Sequence, residues 1–266
     1  MIKLGVNSVL FGGLDFPTTA RLTRLCGYDG IELSAIAGMC EHLVLDRWQE
    51  QADMIRRVAA DNGLALLSME VASLDEARLE KAFAAGQAIG IPLINVGPGG
   101  RSNEAGAVEQ SVATLTARAA LAAKYGVTLC CKAHVGSAVF NTPTTLAMMQ
   151  AIAHPNFGVD MDPSHIWRAG EDPAEALRQV VARVRHVHIR DCKGRGPSPG
   201  EARDQACGRG DIDLPRYFRT LVEAHYDGPV CLEVIGAAGY DLAQKMAVAA
   251  ESYGYMNACL KALQAR

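Results

Sequence analysis

His186-Val187-His188-Ile189 alternates imidazole and aliphatic side chains, and the reading of that alternation decides the fold. Successive strand residues point to opposite faces, so Val187 and Ile189 share one face and the two histidines the other. Val230-Cys231-Leu232-Glu233-Val234 repeats the arrangement, with Val230, Leu232 and Val234 on one side and Cys231 and Glu233 on the other. Short β-rich runs of this kind recur about every thirty residues: Ile2–Val6, Gly30–Leu33, Leu64–Met69, Leu93–Val96, Val127–Lys132, Phe157–Met161, His186–Ile189 and Val230–Val234. Ala- and Leu-rich amphipathic stretches separate them, which is the βα alternation of a parallel sheet.

Pro17, Pro143, Pro173 and Pro215 mark helix starts, while Gly27, Gly63, Gly90, Gly126 and Gly228 mark helix ends. Eight such units make either a doubly wound sheet or a closed barrel. The first strand is followed by Asn7-Ser8-Val9-Leu10-Phe11-Gly12-Gly13, which lacks the Gly-x-Gly-x-x-Gly turn of a nucleotide-binding sheet. The reading is therefore an α/β protein, a (β/α)8 TIM barrel in a single domain over residues 1–266. Two loop-like segments, 97–103 and 192–211, follow strands and so belong to the catalytic face, the longer one as a candidate lid, substrate clamp or solvated connection.

Composition bounds the partners. Lys and Arg number 26 against 29 Asp and Glu, so the net charge of −3 provides no footprint for nucleic acid. No apolar run approaches the ~18 residues of a membrane span, and Met1–Val6 reads as a strand rather than a signal peptide. The expected setting is the cytoplasm, with eight reduced cysteines, a small-molecule substrate and an oligomer of identical chains left open. Cys207 lies in a polar loop and reads as an ordinary loop cysteine rather than a reactive one.

Strand parity places Asn7, Glu32, Cys130, Lys132, Asp160, Asp162, His186, His188 and Glu233 inside the barrel, with Glu70 and Asn95 completing the ring. Charges there are costly unless they lie at the open C-terminal end, paired or bound to a cation. Glu32, Glu70, Asp162 and Glu233 against the single Lys132 leave a carboxylate excess that a divalent ion would resolve. Asp162, His188 and Glu233 are the candidate ligands, for Mn²⁺, Mg²⁺, Co²⁺ or Zn²⁺.

The segments Gly158–His165, His186–Asp191 and Val230–Glu233, with Gly27–Leu33 and Gly208–Asp213, resemble the xylose-isomerase-like sugar phosphate isomerase/epimerase family over nearly the whole chain. The resemblance implies one divalent ion held by Glu, Asp, His and Glu at the ends of strands five to eight, the two Glu also exchanging protons with the substrate. Lys132, in Cys131-Lys132-Ala133-His134, stands where the first Glu would be. Apurinic-site endonucleases of the same superfamily share Asp162, His165 and His188, but here Glu70 replaces a His and no basic surface exists to hold DNA.

The expected activity is a metal-dependent isomerase or epimerase acting on a sugar, keto-sugar or related polyol through an enediolate. Glu233, Lys132 and His165 are its candidate catalytic residues. Lys132 acts as a second proton carrier with a lowered pKa, as a fixed cation, as a Schiff base, or only as a neutralising partner. Asn7, Glu32, His134, Lys193 and, more loosely, Arg209 are the candidate substrate contacts. A lyase or dehydratase using the same enolate is the first alternative; a sugar-binding barrel without catalysis is the second.

Overall fold

The computed structural model describes residues 1–266, and its main sheet is an eight-stranded parallel barrel. The strands are β1 (Lys3–Asn7), β2 (Gly30–Ile36), β3 (Ala65–Glu70), β4 (Leu93–Val96), β5 (Thr128–Lys132), β6 (Phe157–Met161), β7 (Val184–Ile189) and β8 (Pro229–Leu232). Closure comes from β1, which pairs in parallel with both β2 and β8. The (β/α)8 barrel expected from the alternation is the observed architecture.

The surrounding helices are α1 (Phe16–Leu25), α2 (Trp48–Asp61), α3 (Glu76–Ile89), α4 (Ala107–Lys124), α5 (Thr142–Ala151), α6 (Pro163–Arg168), α7 (Pro173–Val180), α8 (Leu214–Glu223) and α9 (Leu242–Ala262). The four prolines read as start marks all fall in first turns, where a missing N–H costs nothing. Asp15, Asn141, Asp172 and Asp213 cap the same helices by accepting backbone N–H bonds. Strand β6 is followed by two helices rather than one, because Asp162 caps the short α6 directly at the strand end.

Helix-facing strand residues such as Val187, Ile189, Val230 and Leu232 are fully buried against the helices in one continuous core. Inside the barrel the packing is close: a Cβ on Gly5 would lie 2.5 Å from Leu67 Cδ1 and 2.7 Å from Cys231 Sγ. Glycine is therefore required there by close approach. Register aligns the polar interior residues, with Asn7 opposite Glu32, Glu70 opposite Asn95, and Lys132 opposite Asp160, itself opposite His186.

Two edges differ from the sequence reading. Strand β2 continues to Ile36, and Cys40–Glu41 folds back on it as a two-residue antiparallel strand, through a turn with Gly38 at φ 76°. So short a strand has no alternation to read. Glu233 lies just beyond β8, yet its N–H donates to the Ile189 carbonyl at 3.1 Å, so it keeps the strand's direction.

Candidate active site

A cavity of about 380 Å³ opens at the C-terminal ends of the strands. Glu70, Lys132, His165, Arg190 and Glu233 line it together with His134, while Ile36, Met39 and the backbone around Ala72 and Gly99 form part of its wall. The charged members are at most 5% exposed, so their charges interact in a poorly hydrated setting.

Lys132 extends from the end of β5 between two carboxylates. Its Nζ donates to Glu70 Oε1 at 3.1 Å and lies 3.0 Å from each oxygen of Glu233. Burial opposes the charge, but Glu233 and Glu70 outweigh it and hold the ammonium well above the ordinary lysine range. Of the roles open to Lys132 in the sequence, the fixed cation matches this geometry; a lysine titrating near neutrality does not. The two carboxylates divide in the opposite sense. Burial and the charge of Glu233 push Glu70 up to about 7. Glu233 is buried too, yet Arg190 and Lys132 hold it well below the usual carboxylate range.

Arg190 is the buried, cavity-lining charge that the sequence reading passed over. The parity that turns His186 and His188 inward turns Arg190 inward as well, one step past the end of β7. Its Nε donates to Ser164 Oγ at 2.9 Å, and its Nη2 lies 2.8 Å from Asp162 Oδ2 and 3.2 Å from Glu233 Oε2. Its Nη1 is buried without a protein partner. Asp162 spends its other oxygen on the α6 cap, accepting from Ser164 N and Ser164 Oγ at 2.8 and 2.7 Å.

His165 sits in α6 between two arginines. Its Nδ1 accepts from Val135 N–H at 3.2 Å and is 2.9 Å from Arg168 Nη2; Nε2 is 2.9 Å from Arg190 Nη2. Burial and Arg190 hold the ring neutral. Both nitrogens thus face N–H donors although a neutral imidazole accepts on one only, and Nε2 also lies 3.7 Å from Asp162 Oδ2. The His134 ring packs on it with centroids 4.0 Å apart.

Below this layer His188 is held from both sides. Its Nδ1 is 2.6 Å from Asp160 Oδ2 and its Nε2 2.5 Å from Glu32 Oε2. Burial alone would depress its pKa, but Asp160 and Glu32 raise it well above the histidine norm, so it is an imidazolium. Asp160 also takes His186 Nδ1 at 2.9 Å. Asn7 bridges Glu32 and Glu70 through Nδ2 at 3.0 and 2.7 Å, and Asn95 donates to Glu32 at 2.6 Å.

Asn7, Glu32, Lys132, Asp162, His165, His188 and Glu233 thus gather in one network, with His134 at its mouth. Lys193 and Arg209 do not join it. Lys193 pairs with Asp204 at 2.8 Å and Arg209 with Glu251 at 2.7 Å, both exposed, because the 192–211 loop turns them outward. That loop does not line the cavity. Asp191 ties it down by accepting from the N–H groups of Cys192, Gly208 and Ile212 at 3.0–3.2 Å. A Cβ on Gly210 would meet Asp191 Oδ1 at 2.2 Å, so that clamp depends on glycine. Cys207 is buried rather than loop-exposed, and burial raises its thiol pKa.

Glu32, Glu70 and His188 offer ligand atoms within 4.8 Å of one another, as do Asp160, His186 and His188, so clusters able to hold a cation are present. The expected set of Asp162, His188 and Glu233 does not fit one. Asp162 and Glu233 meet at Arg190, Lys132 occupies both oxygens of Glu233, and His188 Nε2 faces Glu32. Lys132, Arg190 and His188 offset part, not all, of the carboxylate excess of Glu32, Glu70, Asp160, Asp162 and Glu233.

The comparisons with known proteins agree with this architecture. The family model described as Xylose isomerase-like TIM barrel matches residues 20–259. Among curated proteins, the chain is 27% identical over 71 residues to 3-dehydroshikimate dehydratase of Bacillus anthracis, covering 27% of this chain and 25% of that protein. It is 28% identical over 127 residues to inosose dehydratase of Clostridium perfringens, covering 43% of this chain and 42% of that protein. The chain spans under half the length of these relatives. A solved D-psicose 3-epimerase, crystallised with D-fructose, superposes with a TM-score of 0.78 at 17% identity, covering 98% of this chain and 99% of that one; it shares the fold.

Proposed function

We propose, on the premise that this chain belongs to the xylose isomerase-like TIM barrel family, that it enolises a polyhydroxylated ketone and returns the proton to give an isomer or epimer. The observation that carries this reading is the pair Glu70 and Glu233, bonded to one ammonium in the lining of the open cavity. Two carboxyl groups whose surroundings drive their proton affinities apart form an acid–base pair. Glu233, held ionised, removes the proton beside the carbonyl; Glu70, near neutrality, gives or takes the second one. Lys132 keeps both in place. His165 and His134 contact substrate hydroxyls, and Asn7 and Glu32 position Glu70 and His188. The cavity of about 380 Å³ suits a monosaccharide or cyclitol.

The dehydratases among the curated relatives favour a second reading, in which the same enolate expels a β-hydroxyl that Glu70 protonates. One experiment separates the two. Ketoses and keto-cyclitols are incubated with the protein in D₂O and followed by proton and carbon NMR. Deuterium entering beside the carbonyl with every hydroxyl retained supports isomerisation, and loss of water supports dehydration. No exchange on any substrate that binds would leave a sugar-binding barrel and refute enolisation. Glu233→Gln removes the base and is expected to lower exchange by about 10²–10⁴-fold.

A further inference from the structure

We infer that Lys132 and Arg190 together are the electrophile of the site, and that Arg190 Nη1 is an oxyanion donor for the enolised substrate. This rests on the enolisation reading and deepens it. The two side chains bracket Glu233, whose oxygens lie 3.0 Å from Lys132 Nζ and 3.2 Å from Arg190 Nη2. Both line the cavity. Arg190 is 2% exposed and locked by Ser164 and Asp162, yet Nη1 has no partner, and an unpaired guanidinium N–H in so buried a place is costly. A substrate oxygen supplies the missing acceptor.

The step balances without an added reagent. Glu233 takes the proton from the carbon beside the carbonyl, the C–H electron pair becomes the new C=C bond, and the carbonyl pair moves onto oxygen. That oxygen accepts the Arg190 Nη1–H while Lys132 lies across Glu233 as a second positive charge. Reprotonation at carbon restores the ketone. The guanidinium and ammonium are preorganised by the carboxylates that hold them, which is the condition for strong stabilisation of developing charge. The ligand class follows: planar oxyanions of the enediolate type, with no divalent ion needed.

Oxalate, a planar mimic of an enediolate, is the probe. Its binding is measured by calorimetry in EDTA, alongside deuterium exchange on the ketose panel in the same buffer. The unaltered protein is expected to bind oxalate in EDTA, and Arg190→Lys, which keeps the charge but removes Nη1, to weaken binding about 10- to 100-fold. Oxalate binding that appears only after Mn²⁺ or Mg²⁺ is added overturns the inference, as does undiminished binding by a folded Arg190→Lys. Should that variant misfold, the EDTA measurements on the unaltered protein decide. Exchange that requires added metal overturns the cation pair and leaves enolisation standing. Oxalate binding in EDTA with no exchange on any ketose supports the pair and removes the enolisation reading.

Discussion

Replacing Lys132 by methionine keeps the length and apolar stem of the side chain and deletes the ammonium. In the structure that ammonium bonds Glu70 at 3.1 Å and both oxygens of Glu233 at 3.0 Å. Deleting one partner of a buried ion pair costs about 3–5 kcal/mol, because the other charge stays buried without compensation. Glu233 retains Arg190 at 3.2 Å, so the loss corresponds to one carboxylate rather than two. For a chain of this size that is roughly 6–20 °C in Tm. The penalty also depends on pH. Glu70 has a folded pKa of about 7, above its unfolded value, so its folded form holds more protons and stability falls as pH rises from the unfolded value to about 7. Without Lys132 the folded pKa rises further and the falling window extends above 7. Lys132→Met should therefore lose more stability at about pH 8.5 than at about pH 6, as followed by circular dichroism on reversible thermal melts. A Tm close to the parent's at both pH values would refute the buried network, and equal large losses at both would refute the assignment of Glu70.

Asp160→Asn removes one of the two carboxylates that hold His188 charged, so nitrogen-15 NMR should show the imidazolium of the parent at neutral pH titrating at lower pH in the variant; an unchanged titration would remove Asp160 as its cause. The same raised pKa makes the His188 contribution to stability full below the unfolded histidine range and progressively lost as pH rises towards the folded value. Gly210→Ala drives a Cβ into Asp191, and limited proteolysis should cut 192–211 faster, with stability lower by about 1–3 kcal/mol; resistance equal to the parent's would contradict the clamp. Arg209→Ala breaks only an exposed pair with Glu251 and should change unfolding free energy by less than about 1 kcal/mol in urea titration.

The barrel was legible because period-two alternation runs through most of the strands; β3 breaks it, its irregular register turning both Leu67 and Ser68 to the interior. His188 and Glu233 could be placed inward from their neighbours Val187, Ile189, Leu232 and Val234 alone. Arg190 obeys the same rule, yet the apolar run ends at Ile189, and an arginine past the end of a strand ordinarily reads as solvated. Partner choice was beyond the pattern. Lys132 meets Glu70 and Glu233 through register and side-chain reach across segments separated by 62 and 101 residues, which alternation does not encode. Counting carboxylates against Lys132 alone left Arg190, the His188 charge and Asp160 out of the balance, because none of the three can be paired from the pattern. Lys193 and Arg209 were misleading for the opposite reason: a loop has no periodicity, so nothing in the sequence told which way they point.

The clamp at Asp191 divides the cavity's surroundings into two unequal halves. On the β7 side the chain is fastened by a carboxylate, by Trp167 Nε1 on the Gly194 carbonyl at 2.8 Å and by Arg168 on the Pro197 carbonyl at 2.9 Å. On the opposite side Met39, Ala72, Ser73 and Gly99 present small or flexible groups to the same space. Met39 and Ser73 can be exchanged there without disturbing any charge in the floor, whereas Ala72 at φ 53° and Gly99 at φ 69° hold a left-handed backbone that larger side chains strain. A directed search for altered sugar preference should therefore randomise Met39 and Ser73 and leave 190–212 untouched, since the first set tunes shape while the second keeps the machinery in register.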